Sequence, residues 1–114
     1  MNNNTLDFSQ EEFSQILEKA SSMILEKYDN LDSIKGFNVS SQEEVESWFD
    51  EPLPRVGKDS FELLYEVKTK VFDSATGNLG MNMYAYVMSG GNQMSTVAEL
   101  LLSTINQNLS LIHI

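Results

Sequence analysis

The chain of 114 residues has no cysteine, a single histidine, two prolines and only seven lysines and arginines. Without a thiol it forms neither a disulfide nor a thiolate metal site, and a lone His113 leaves no histidine cluster for zinc. The few cations face 17 acidic residues, for a net charge of -10. Phosphate-backbone binding needs clustered Lys and Arg, so no nucleic-acid partner is expected. Long apolar runs are missing as well. The most apolar window, residues 94–114, is interrupted by Glu99, Asn106, Gln107 and Asn108, and a membrane span of about 20 residues does not hold four such groups. The opening Met-Asn-Asn-Asn-Thr-Leu-Asp carries no basic stretch and no apolar stretch of a secretory leader. A cytoplasmic protein with no membrane partner is the expectation.

What is present is unevenly distributed. All seven Lys and Arg, and every acidic residue except Glu99, lie at or before Asp73. An independent domain needs a polar surface on each of its elements, so a nearly uncharged final third implies burial against a larger parent or a partner subunit. Residues 1–8 are Asn-rich and patternless, and are expected to be disordered. Ser9-Gln-Glu-Glu12 then has the signature of a capping box, with Phe8 and Phe13 placed for a hydrophobic staple. The apolar series Phe13, Ile16, Leu17, Ala20, Met23, Ile24 and Tyr28 predicts a first helix from about Gln10 to Lys27 or Tyr28, ended by Asp29-Asn30. Ser41-Gln-Glu-Glu44 repeats the signature before Val45, Trp48 and Phe49, and Pro52 and Pro54 stop that short second helix. Asp59-Ser-Phe-Glu62 opens a third helix with Phe61, Leu64, Tyr65, Lys68, Val71 and Phe72 on a mixed stripe and a Glu66–Lys70 pair on its surface. The acidic groups at residues 11–12 and 43–46 fall at helix N-termini, where negative charge complements the dipole, so capping explains them better than catalysis does.

The segment from Asn82 to Asn108 is the most informative. Tyr84, Ala85, Tyr86 and Val87 suit a short extended segment, and Ser89-Gly90-Gly91-Asn92 suits a turn. A helix follows, with Met94, Val97, Leu101 and Ile105 at helical spacing, Leu100 and Leu102 widening the stripe, and Glu99 as its only charge.

Tyr-x-Tyr-Val, a Gly-Gly turn, an Ala- and Leu-rich helix and the closing Asn106-Gln107-Asn108 together resemble the N-terminal region of the group II pyridoxal-phosphate-dependent amino-acid decarboxylases, a resemblance that extends over residues 9–108. It implies a mainly α fold: the N-terminal helical segment of a fold-type I pyridoxal-phosphate enzyme, with three to four amphipathic helices and one short Tyr-containing extended segment. It also implies a second subunit of a homodimer as partner, an amino acid as substrate, and pyridoxal 5'-phosphate as cofactor of the intact parent. Tyr84, Tyr86, Val87, Met88 and Ser89 would form one wall of the substrate pocket, and Asn108 matches a position that reaches toward the other subunit's site. Val87-Met88 stands where relatives have Phe-Pro, and the family's Thr-His-Trp-x-x-Pro motif is absent, so aromatic selectivity is not implied. The lysine, histidine and aspartate that hold the cofactor have no matching motif in these 114 residues. The chain alone is therefore expected to bind no cofactor and to be inactive, and its role would be dimer contact and pocket wall. The competing reading is a non-catalytic acidic helical interaction module.

Residues 109–114, Leu-Ser-Leu-Ile-His-Ile, resemble the translation of a transposon mosaic-end sequencing adaptor. The expectation is a reading frame that runs from a gene fragment into adaptor at Leu109, which would leave His113 without functional meaning.

Overall fold

The computed structural model describes residues 7–84 and 90–106. They are mainly helical, with no strand among them: α1 (Gln10–Asp29), α2 (Gln42–Phe49), α3 (Ser60–Glu66) continued by a π-helix (Val67–Phe72), and α4 (Gln93–Ile105). The chain divides into two compact units, Met1–Tyr84 and Ala85–Ile114.

In the first unit, α1 starts where the capping signature places it. The Glu12 amide donates to the Ser9 hydroxyl at 3.2 Å, while the Glu12 carboxylate accepts from the Ser9 amide at 3.0 Å and its hydroxyl at 2.6 Å. Two orphan donors of the first turn are thereby satisfied. At the far end the Asn30 side-chain amide donates to the Glu26 carbonyl at 2.7 Å. At α2 the Ser41 hydroxyl accepts from the Glu44 amide at 3.1 Å. At α3 the Asp59 carboxylate accepts from the amides of Phe61 and Glu62 at 2.9 and 3.2 Å. α1 packs against α3, and Met23 of α1, 7% exposed, is the buried apolar side chain among the described residues, in a region it shares with Ile34, Lys68 and Phe72.

The third helix differs from the single α-helix expected from its periodicity. After Glu66 the turns widen, and the Asp73 amide reaches the Lys68 carbonyl at 2.8 Å, five residues back. Continued α geometry would set Lys68 in the middle of an apolar stripe and turn Asp73 about 140° away from it. The wider turn instead brings the Lys68 ammonium to 2.8 Å from the Asp73 carboxylate and 3.8 Å from that of Glu26.

Two lysines then tie helix ends together from a distance. The Lys27 ammonium donates to the Phe72 carbonyl at 2.9 Å and lies 4.9 Å from the centroid of the Phe72 ring. The Lys70 ammonium donates to the Trp48 carbonyl at 3.0 Å. α2 has no basic residue in its own last turn, so Lys70 supplies from another element the positive charge that a helix C-terminus favours.

The connectors on either side of these helices are joined backbone to backbone. The Gly77 amide donates to the Gly36 carbonyl at 2.9 Å, and the Met81 amide to the Leu31 carbonyl at 3.1 Å. Gly77 is buried, and a Cβ there would overlap the Lys35 carbonyl; one on Gly36 would lie 2.7 Å from the Asn82 carbonyl oxygen. Glycine is required at both places by close approach of backbone, with negative φ throughout.

In the second unit, the Asn92 side chain caps α4 by accepting from the Ser95 amide at 2.8 Å. Asn106 ends it in the left-handed region at φ 43, a conformation that asparagine tolerates better than other non-glycine residues.

Candidate functional site

The pocket wall implied by the resemblance falls mostly where no geometry is described: Tyr86, Val87, Met88, Ser89 and Asn108 lie outside the described residues. Tyr84 is 92% exposed. It follows directly on the clasp between the two connectors, where the Asn82 side-chain amide donates to the carbonyls of Asp32 and Ile34 at 3.0 and 2.9 Å.

On α4 the apolar positions are bare along the chain, from Val97 at 49% to Met94 at 74%, with Leu100, Leu101, Leu102 and Ile105 between those values. At about 100° per residue, Glu99 points away from the line through Met94, Val97, Leu101 and Ile105. That line therefore presents no formal charge over 13 residues.

Among the hollows on the first unit are two that involve the apolar side chains of α2. The larger, about 710 Å³, runs along the outer side of α2 and is lined by Glu43, Glu46 and Asp50 with Val45 and Phe49. Its lining includes no cation, and the Glu46 carboxylate accepts from the Gln42 side-chain amide at 2.7 Å. The other, about 240 Å³, lies between α2 and the α3–π segment and is lined by Trp48, Phe49, Leu63, Val67 and Val71, with Glu51, Glu66 and Lys70 at its edge. Neither includes Tyr84.

Four charged groups form the electrostatic centre of this region. The Lys58 ammonium is 2.7 Å from Glu66 and 3.3 Å from Glu51, and the Lys70 ammonium is 3.4 Å from Glu66 and 3.6 Å from Glu51. The hydrogen bond from Lys58 holds the Glu66 carboxyl below its ordinary 4.5. Those to Glu66 first and Glu51 second hold Lys58 above its ordinary 10.5. A carboxyl depressed in this way stabilises the fold above about pH 4.5, and the contribution is lost as pH falls through its lowered value; a raised lysine stabilises it below about pH 10.5, and the contribution is lost as pH rises through its raised value. The expected result is constant emission from Trp48, the only tryptophan, between those limits, with a red shift on leaving them at either end. A monotonic drift through pH 5–9 would contradict this assignment.

Lys27, Lys58, Lys68 and Lys70 are each engaged with a carboxylate or a carbonyl. Among the described residues no group of three or more His, Cys, Asp or Glu could hold a metal ion, and no helix is long and apolar enough to cross a membrane.

Sequence reasoning missed the two lysine ties and the asparagine-and-glycine clasp. The only available signal for the clasp was that Gly36, Gly77 and Gly80 fall on two separate connectors. Compared with known proteins, the chain matches no family model, no curated protein and no solved structure.

Proposed function

We propose that this chain is the N-terminal helical segment of a pyridoxal-phosphate-dependent amino-acid decarboxylase of group II, serving subunit contact and one wall of the substrate pocket while the carboxy-lyase chemistry resides in a part of the parent that it does not include. The observation that carries the reading is the uncharged, bare stripe of α4, which calls for a covering surface of comparable apolarity. The order of elements is compatible with it: three capped helical segments separated by a proline link and a glycine-bearing connector, then the Tyr segment and α4. In the intact parent the cofactor would act as electron sink when bound. The residues of this chain would orient the amino acid and help to exclude water.

The second reading, an acidic helical interaction module without catalysis, is favoured by the same stripe. The two part at the genomic locus. Amplification across the codon for Asn108 is expected to show a frame that continues into a later histidine and lysine at the family's motifs, and a verified stop after Ile114 would select the module. Purified 114-residue chain mixed with pyridoxal phosphate is expected to show no absorbance band of bound cofactor. A specific band accompanied by turnover would place the chemistry within this chain after all.

A further inference from the structure

We infer that Asn82 is a positioning residue: by clamping the connector after the π-helix onto the connector after α1, it fixes the place at which the chain leaves the first unit at Tyr84. The inference deepens the decarboxylase reading, on which the link to substrate rests; the clamp itself rests only on geometry.

Asn82 spends both side-chain N–H groups on carbonyls of one short stretch, Asp32 and Ile34, at 3.0 and 2.9 Å. The two connectors are also joined by the Met81 amide on the Leu31 carbonyl and the Gly77 amide on the Gly36 carbonyl. The close approach is possible because Gly36 and Gly77 carry no Cβ, and Gly80 fits against Ile34 for the same reason. A second side-chain amide joins the same connectors from the other side, Asn38 donating to the carbonyls of Asp73 and Ala75 at 3.0 and 2.9 Å; of the two, Asn82 is the one that lies two residues before Tyr84. A planar group with two donors aimed at two carbonyls fixes rotation as well as distance, which a single bond does not. The start of the proposed pocket wall is thereby held to the helical scaffold rather than left to a free loop, as a precise site requires.

The chain has no cysteine, so paired labels can be introduced on an otherwise unaltered background. With Glu18→Cys on exposed α1 and Tyr84→Cys each carrying a spin label, a single narrow distance distribution is expected. Asn82→Leu should roughly double its width while α-helix content is retained. Asn82→Asp, which keeps the shape and loses both donors, should do the same and guards against a packing effect of leucine. An unchanged width in both variants would overturn the clamp. In the full-length parent, Asn82→Asp is expected to raise KM for the amino acid about tenfold with kcat within about twofold and cofactor absorbance unaltered. Broadened distances with an unchanged KM would overturn the positioning role alone. A wild-type parent without decarboxylase activity would defeat the family reading instead, and the distance measurement would still decide the clamp.

Discussion

Replacing Gly77 with alanine is expected to lower the stability of the first unit by about 3 kcal/mol, with retention of α4 helicity. Gly77 is buried, its amide is committed to the Gly36 carbonyl, and the added methyl would overlap the Lys35 carbonyl. The neighbour in the way is backbone, which cannot rotate aside as a flexible side chain could. Relief requires the connectors to separate, which also loses the Met81–Leu31 bond and the two donations from Asn82. Urea unfolding followed by Trp48 emission measures the change. The control is Gly57→Ala, where nothing lies within 4 Å of the new Cβ, and its midpoint should hardly move. Equal midpoints for the two variants would mean that the connectors are not joined as described.

The second large effect concerns α4. The purified chain is expected to form oligomers that grow with concentration, and Leu101→Lys should weaken that association about 100-fold or more, as seen by sedimentation velocity. Leu101 is 62% exposed and sits on the same uncharged line as Val97 and Ile105. Burying such side chains contributes about 1.5–3 kcal/mol each, and an ammonium in their midst would have to be desolvated without a partner. Glu99→Lys, on the opposite side of the helix, is the matched control and should leave association nearly unchanged. A wild-type chain that stays monomeric at high concentration would remove the case for a covered stripe.

The start of α1 could be read from the sequence because Ser9 and Glu12 are three residues apart and the capping box is local chemistry, formed by atoms of one turn. The stripe of α4 was legible for a similar reason: its apolar residues recur at helical spacing on a neutral background. The π-helix was not legible, because apolar periodicity over two turns does not separate a four-residue return from a five-residue one, and the Lys68–Asp73 attraction that favours the wider turn is only one pair among several in that acidic sequence. The ties from Lys27 to Phe72 and from Lys70 to Trp48 join residues 45 and 22 positions apart. Main-chain carbonyls as acceptors leave no mark in residue identity. Asn82 looked like any polar loop residue for the same reason. The pocket wall rested on a resemblance, and of its six residues Tyr84 alone lies among those described, and it is exposed.

Eight residues are too few to hold a helix in water by themselves. The order of α2 therefore draws on its neighbour, which lays the Lys70 ammonium on the Trp48 carbonyl and shares an apolar hollow with Trp48 and Phe49. Moving the π-helix aside would withdraw that ammonium from the end of α2. The indole at residue 48 stands where such an event would register as light.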